Sequence, residues 1–436
     1  MIRVVPRDFL PSGHVQFLKF PLIAAVVAAF ASGLALPAAA QQETVLHNFV
    51  AYSSDGYDSY AGVVFDAAGN LFGTTRSGGL NSSGTVFELL PEVGGGYKEK
   101  IVHNFALLGG VFPEAGLIID SSGNLYGTTV LGGSLECDRN GCGTVFELLP
   151  EAGGQWTEQV LYTFNGDGAD GVNPVAGLAL DQAGNLYGTT AGGGLYGSGT
   201  VFELSPQAGW NWTETILHNF HYDGKTYFDG SDPVAGVTFD SSGNLYGTTS
   251  GGGTHNRGAV FEMEPVEGGG WDESVIYSFA ETVGDGFDPA AAVVLDSAGN
   301  LYGTTSGGGA YGFGTVFELT RETDWSENIL HSFNKDASDG AGPEAALTFD
   351  AQGNLWGTTV SGGAIIGAIQ PKQPEPGTVF ELTPTSDGQW TETFLFPLKG
   401  GSFPLSNIVF DASGNLYGTT NAGGTRGGGI VFEITP

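Results

Sequence analysis

The stretch Gly69-Asn70-Leu71-Phe72-Gly73-Thr74-Thr75 decides the fold, because the chain carries seven copies of it with only the aromatic residue varying. The copies begin at Gly69, Gly123, Gly184, Gly243, Gly299, Gly353 and Gly414, at intervals of 54 to 61 residues. A recurring period of some tens of residues is typical of one supersecondary unit copied in tandem. The sequence therefore predicts a repeat architecture for most of its 436 residues.

One unit, read from Pro174, contains four strand signals. These are 175–181, 186–190, 199–204 and 212–220, and turn residues separate them. Their valine, leucine and aromatic residues suit a pleated, half-buried surface. Four strands in each repeat is the pattern of a propeller blade. We predict an all-β fold, a seven-bladed β-propeller of four-stranded antiparallel blades.

The two ends of the repeat region complement each other. Residues 43–49 match a fourth strand alone, whereas 405–411, 415–420 and 429–434 match the first three strands. The N-terminal strand is therefore predicted to complete the C-terminal blade, which would leave no open seam in the ring. An open solenoid is the alternative, but it would need distinct polar caps at its ends.

The first forty residues have the features of an export signal. Arg3, Arg7 and Lys19 precede an apolar run from Pro21 to Pro37, and three alanines lie before Gln41. This is the pattern of a signal peptide with a small-residue cleavage site. A retained membrane anchor is the alternative, since seventeen residues approach the lower limit for a span. We expect a signal peptide over 1–40, one propeller domain over 41–436, and a bacterial protein that is secreted, periplasmic or at the cell surface.

The composition limits the partners. The formal net charge is −33, with 47 acidic and 14 basic residues. Nucleic acids and acidic membrane surfaces need a basic footprint, which this chain lacks. After Pro37 no apolar run is long enough to cross a bilayer, so no transmembrane segment is expected after signal cleavage.

The repeated residues also suggest structural roles. Asp66 and its equivalents precede the Gly-Asn pair, where an aspartate can bond the backbone of its own turn. Gly73 is expected to leave room for the ring of Phe87 on the neighbouring strand. Glu88 and its equivalents are expected to bond repeated hydroxyls or amides.

The consensus Asp-x-x-Gly-Asn-Leu-Tyr-Gly-Thr-Thr, followed by Gly-Thr-Val-Phe-Glu-Leu, resembles the GloVer tandem repeat of bacterial exported proteins, the choice-of-anchor proteins. The resemblance covers residues 43–436. It implies an exported repeat protein and carries over no catalytic residues. The chain ends without the surface-sorting signal of many members. The Asp-x-x-Gly-Asn-Leu-Tyr core is also similar to NHL-type propeller repeats, which implies that the strand before that turn lines the central channel.

No sequence motif indicates a catalytic or metal centre. His47, His103, His218 and His331 share one repeat position with Tyr162, Tyr277 and Phe396. A position that accepts all three residue types favours a flat, partly polar ring, and we expect no metal ligand there. Nucleophile-elbow and phosphate-loop motifs are missing from the sequence. We therefore predict no catalytic residues, no metal site and no cofactor, with Ca²⁺ as the one alternative.

Cys137 and Cys142 are the only cysteines. In an exported protein, a close pair is most simply a disulfide. A redox role is the alternative, although the spacing differs from Cys-x-x-Cys.

Antiparallel order places the inter-blade loops, and the loops between second and third strands, on one face of the ring. Several inter-blade loops read Asp-Gly-x-Asp/Asn-Pro, as in 170–174, 229–233 and 285–289. The structural interpretation is a repeated Asx turn. The functional interpretation is acidic loops that bind Ca²⁺ or a cationic ligand. The candidate ligand-binding residues are Tyr57, Asp58, Asp170, Tyr227, Phe228, Asp229, Asp232, Asp285 and Asp288.

Three functions fit these observations. The first is a non-enzymatic propeller that binds an extracellular protein or polysaccharide through the variable face. The second is a carbohydrate-active enzyme, a lyase or glycoside hydrolase, that uses loop carboxylates. The third is a structural envelope or matrix protein. Nearly every acidic motif recurs with the repeat, whereas a glycosidase needs one pair of carboxylates at a set separation.

Overall fold

The Gly-Thr-Thr repeat builds a closed ring of seven antiparallel blades, as predicted. The computed structural model describes residues 42–134, 137, 140–221, 229–321, 325–334, 339–362 and 376–435, with the backbone alone at 393–395. The predicted signal peptide over 1–40 lies outside the described residues. Every regular element within them is a β-strand. No helix in this part of the chain could span a membrane.

Each blade has four strands that pair in chain order. The first strands are Val64–Phe65, Ile118–Ile119, Ala179–Leu180, Thr238–Phe239, Val294–Leu295, Thr348–Phe349 and Val409–Phe410. The second strands are Leu71–Thr75, Leu125–Thr129, Leu186–Thr190, Leu245–Thr249, Leu301–Thr305, Leu355–Thr359 and Leu416–Thr420. The third strands are Thr85–Pro91, Thr144–Glu151, Thr200–Pro206, Ala259–Pro265, Thr315–Arg321, Thr378–Pro384 and Gly427–Thr435. The fourth strands are Tyr97–Asn104, Gln155–Thr163, Trp212–Asn219, Trp271–Ser278, Trp325–Ser332, Trp390–Pro397 and Gln42–Val50.

The N-terminal strand closes the ring. Gln42–Val50 pairs antiparallel with Gly427–Thr435, with Val45 opposite Phe432 and Asn48 opposite Ile430. The predicted closure is confirmed. The last blade therefore joins both ends of the described chain.

The two threonines of the repeat have different roles. The second, such as Thr75, shares a 2.8 Å hydrogen bond with Thr85 of the third strand in its own blade. The first, such as Thr74, donates to the Ala115 carbonyl in the next blade. The same inter-blade bond recurs around the whole ring, and Thr419 to the Ala61 carbonyl at 2.8 Å completes it. Gly-Thr-Thr therefore links each blade both internally and to its neighbour.

The glycine before these threonines is required by packing. A Cβ at Gly73 would lie 2.5 Å from Cζ of Phe87, which is fully buried. Equivalent glycines meet equivalent phenylalanine rings in the other six blades. The predicted reason for this glycine is confirmed.

The first strands are shorter than the sequence predicts. In the unit read from Pro174 only Ala179–Leu180 is a ladder strand, rather than 175–181. The carbonyl of Ala176 instead accepts from the Thr128 hydroxyl of the preceding blade at 3.0 Å. The residues before each short strand thus bond to the preceding blade and lie outside the ladder of their own sheet. The sequence pattern of the two kinds of segment is the same, so it could not separate them.

The repeated acidic residues have the roles expected of them. Asp66 accepts from the backbone nitrogens of Ala68 and Asn70, and its other oxygen accepts from the Asn70 side chain. Tyr126 donates to Glu147 on the third strand at 2.8 Å, and three other blades repeat this bond. These carboxylates stabilise the blades.

Candidate functional site

The inter-blade loops and the loops between second and third strands lie together on one face. Tyr57 pairs with Ser77, Val111 pairs with Leu131, and the other five blades form two-residue ladders between the same two loops. We call this surface the loop face. Its inter-blade loops are 51–63, 105–117, 164–178, 220–237, 279–293, 333–347 and 398–408, as far as they are described. Its other loops are 76–84, 130–143, 191–199, 250–258, 306–314, 360–377 and 421–426, with the same restriction.

The opposite surface holds the Asp-x-x-Gly-Asn turns and the connections between third and fourth strands. We call it the turn face. Residues 66–70 and 92–96 represent it in the first blade, and the equivalent residues do so in the others. Its Asp-x-x-Gly-Asn turns are nearly the same in all seven blades, so variation between blades concentrates on the loop face.

Asp58, Asp232 and Asp288 occupy a special backbone position on the loop face. Each has a φ between 53° and 60°, the left-handed region that aspartate tolerates better than most residues. The nitrogen of Asp58 donates to the Gly428 carbonyl of the preceding blade, and its carbonyl accepts from Arg76 in its own blade. The second of these bonds recurs in all seven blades. The backbone at this position therefore anchors the loop in every blade, whichever side chain it carries. The Asx turn of the Asp-Gly-x-Asp pattern stays a prediction.

Asp170, Asp229 and Asp285 point inward between the blades. Asp170 and Asp229 are buried and Asp285 is half-buried. Each accepts from a backbone nitrogen just after a fourth strand, at 2.8 to 2.9 Å. Their side chains hold the start of the inter-blade loop. Their assignment to ligand binding stays a prediction.

Tyr57 lies on the rim of the loop face, with its ring 5.2 Å from that of Tyr52. Tyr52 is 90% exposed. Tyr227 and Phe228 lie outside the described residues, so the structure does not place them.

Exposed apolar side chains concentrate on the loop face. Among the described residues, fourteen large hydrophobic side chains are exposed, and ten of them belong to loop-face loops. The ten are Tyr52, Leu80, Leu107, Leu108, Leu195, Tyr196, Val283, Tyr311, Phe313 and Phe403. None of the ten was predicted from the sequence, because they fall at non-repeated loop positions.

Two groups of charged residues break the repeat on this face, and one of them is the ion pair of Arg257 and Glu281 beside the ring of Phe287. The other is centred on Arg76. Arg76 donates to Glu114 of the next blade, and its guanidinium lies 4.7 Å from the centre of the Phe112 ring. The equivalents of Arg76 are all uncharged: Val130, Ala191, Ser250, Ser306, Val360 and Asn421. Burial raises the pKa of Asp58, although Ser77 and Arg76 act in the opposite direction. These groups form the asymmetric rim cluster, Asp58, Arg76, Phe112 and Glu114.

A second set of polar residues lies between consecutive blades. We call each boundary between blades a seam. In five of the seven seams, a seam cluster combines the ring at the shared His/Tyr/Phe position, the aspartate of the Asp-Gly pair, and a glutamate from the next fourth strand. In the seam between the second and third blades, the Tyr162 hydroxyl lies 2.8 Å from Glu214 and 3.2 Å from Asp170. Tyr277 contacts Glu327 and Asp285 in the same way.

Three seam clusters contain histidine with both carboxylates. They are His47–Asp55–Glu99, His218–Asp229–Glu273 and His331–Asp339–Glu392. The fourth histidine, His103, meets Glu158 at 3.5 Å, but Gly109 replaces the aspartate. Sequence reasoning found the histidines and missed the glutamates, because each glutamate comes from the following blade. The recurring Trp-x-Glu of the fourth strand was the available signal.

The seam carboxyls are electrostatically perturbed. Burial, with a smaller effect from Asp55, raises the pKa of Glu99 to about 8. Burial and Asp170 raise the pKa of Glu214 to about 8. Burial lowers the pKa of His103 to about 4. Each group is held in an environment that favours its neutral form.

Cys137 and Cys142 are bonded to each other, with their Cα atoms 5.6 Å apart. The bond lies on the loop face, next to Gly166 of the following inter-blade loop. The cross-link therefore stiffens one loop that borders a seam.

Comparison with known proteins gives one family match. The model of the Gloeobacter/Verrucomicrobia repeat matches residues 34–238, 95–285 and 267–436. A search of curated proteins finds no match.

The similar solved structures are propellers of low sequence identity. A candidate 6-phosphogluconolactonase from Bacteroides uniformis has a TM-score of 0.52 and 12% identity, covering 84% of this chain and 98% of that one. A gluconolactonase from Xanthomonas campestris has a TM-score of 0.40 and 14% identity, covering 90% and 89%. A candidate glucose dehydrogenase-type oxidoreductase from Thermus thermophilus has a TM-score of 0.42 and 15% identity, covering 74% and 96%. At these identities the first likeness shows the fold alone.

Proposed function

We propose that this protein, which belongs to the Gloeobacter/Verrucomicrobia repeat family, is an exported, non-enzymatic β-propeller that binds a protein or polysaccharide through its loop face. One observation carries the proposal. Ten of the fourteen exposed large hydrophobic side chains of the described residues lie on that face.

Exposed apolar surface that gathers on one side of a protein usually marks an interaction site. On the turn face, Val93, Trp210 and Val266 are exposed singly, in separate connections between strands. Scattered exposed residues are normal for a soluble protein. The contrast between the two faces therefore favours the loop face as the binding surface.

The exposed tyrosines suit a flat ligand surface. Tyr52, Tyr196 and Tyr311 are 90%, 52% and 61% exposed. Their rings can stack on sugar rings or on side chains of a partner, while the hydroxyls remain in water. The net charge of −33 argues against an acidic partner.

A binding screen with matched variants tests the proposal. The mature chain is applied to an array of bacterial and plant polysaccharides and to secreted proteins of the same cell. Tyr196→Ala with Tyr311→Ala should weaken binding of the ligand found, because both rings are exposed on the loop face. Trp210→Ala, an exposed aromatic change on the turn face, is the control and should leave binding unchanged. The reverse pattern would refute the proposal.

The asymmetric rim cluster favours a second candidate, a carbohydrate-active enzyme. A lyase, glycoside hydrolase or sugar lactonase would use Asp58 and Glu114 with Arg76 of this cluster. Turnover of polysaccharides or sugar lactones that Glu114→Gln abolishes would support this candidate. Finding neither a ligand nor turnover would favour a structural role in the cell envelope or matrix.

A further inference from the structure

We propose that the His47–Asp55–Glu99 seam cluster binds a divalent transition-metal ion of the Zn²⁺ type. From the sequence alone we expect no metal at His47 or the equivalent histidines, because their repeat position also accepts Tyr and Phe. The fold adds a carboxylate from the inter-blade loop and another from the next blade.

In the His47 cluster, the distances from the ring nitrogen to the two carboxylate oxygens suit ligands of one shared ion. His47 Nε2 lies 3.5 Å from Asp55 Oδ2 and 3.6 Å from Glu99 Oε1. Two ligands on one tetrahedral zinc ion, each about 2.0–2.1 Å from the metal, are separated by about 3.3 Å. Both contacts of His47 are longer than a hydrogen bond.

Two of these atoms have no hydrogen-bond partner among the described residues. His47 Nε2 and Glu99 Oε1 are both inaccessible to solvent and accept or donate no hydrogen bond there. A buried polar atom without a partner costs free energy, so such atoms call for an explanation. Coordination of one ion by both atoms would satisfy them together.

The tyrosine seams provide a comparison within the same chain. Where tyrosine replaces histidine, the Tyr162 and Tyr277 hydroxyls contact their glutamates at 2.8 and 2.7 Å. Those seams are closed by hydrogen bonds. In the part of the chain that the structure describes, an unpaired glutamate Oε1 is common to these seams, since Glu214 and Glu327 have one as well. The His47 seam differs in its ring nitrogen, which has no hydrogen bond within the described residues, whereas His218 Nε2 bonds Asp229 at 2.9 Å.

Charge supports a divalent ion. An aspartate and a glutamate carry two negative charges when ionised, and neutral imidazole adds a nitrogen ligand. A Zn²⁺ ion would neutralise the pair and accept these three donor types. In each of the three histidine clusters the ligand atoms all lie within 4.8 Å of one another.

Zinc titration of the full mature chain, stripped with EDTA, tests the proposal. Isothermal titration calorimetry should find at least one equivalent of Zn²⁺ per chain. His47→Tyr should reduce the number by one, because it converts this seam to the form that the chain itself uses at Tyr162. His218→Tyr should leave the number unchanged, because His218 already has a hydrogen bond to Asp229. Cobalt substitution should give the intense visible absorption of a tetrahedral ion in the native chain but not in the His47→Tyr variant.

His103→Tyr is the matched control, because Gly109 removes the aspartate from that seam. It should bind as much zinc as the native chain. Glu99→Gln, which keeps the size of the side chain, is a second test of the first site should His47→Tyr fail to fold. A native chain that binds no zinc would overturn the proposal. So would a stoichiometry that His47→Tyr, or in its place Glu99→Gln, leaves unchanged.

Discussion

Phe49 tests whether the N-terminal strand stabilises the last blade as the other fourth strands stabilise theirs. Its side chain is fully buried, and its ring lies 5.1 Å from that of Phe87 in the first blade. It packs with Val431 of the last blade in the same hydrophobic cluster. One side chain thus joins the two ends of the ring.

Phe49→Ala should lower the free energy of unfolding by about 3–5 kcal/mol, the usual cost of removing a buried phenylalanine ring. Phe220 is the matched reference. It is also fully buried, follows a histidine by two residues, and lies 5.2 Å from the ring of Phe261. If the seam is an ordinary blade boundary, Phe220→Ala should cost a similar amount.

Urea unfolding followed by tryptophan fluorescence measures both values. Val45→Ala, on the same strand but 37% exposed, is the control and should cost well under half as much as Phe49→Ala. A loss of less than about 1 kcal/mol for Phe49→Ala, beside a full loss for Phe220→Ala, would refute the closure as a stabilising contact.

Three further outcomes are expected. Replacing Cys137 and Cys142 by serine should leave the fold intact and remove about 2 kcal/mol, because the bond closes only a short loop; circular dichroism and thermal melting check this. The melting temperature should fall between about pH 5 and 8, because the pKa values of Glu214 and Glu327 are raised from 4.5 to about 8 and about 7 in the folded state, so the folded protein keeps protons there that the unfolded chain has already lost; Glu214→Gln with Glu327→Gln should flatten the fall, and an unchanged slope would contradict it. Gly188→Ala should destabilise the third blade, since its Cβ would lie 2.6 Å from a buried ring; a melting temperature equal to that of the native chain would count against it.

The fold could be predicted from the sequence because its determinants repeat. Gly73 and the threonines after it act within one blade or between neighbours, and every copy of the motif makes the same contacts. The closure was predictable because the repeat region begins with a single fourth strand and ends with the first three strands of a blade. The two-residue ladders on the loop face were not predicted, because glycine-rich loops have no strand pattern.

The candidate site was less predictable. The aspartate of the Asp-Gly pair, such as Asp170, is a residue type expected to be exposed in a binding loop. Its side chain instead points inward and accepts a hydrogen bond from the backbone at the end of a fourth strand. Its partner Glu214 lies 44 residues further along the chain. A residue type at one position cannot show which blade will supply the facing group. Exposure of Tyr196 or Tyr311 likewise depends on loop conformation, which no repeat pattern specifies.

Hydrogen–deuterium exchange with and without the ligand found in the binding screen tests the central claim most directly. We predict slower exchange in the loop-face segments 191–199 and 306–314 and in the neighbouring inter-blade loops, because the ligand covers them. The turn-face segments 66–70 and 207–211 should exchange at the same rate in both states. Protection confined to the turn-face segments would contradict the claim that this protein binds through its loop face.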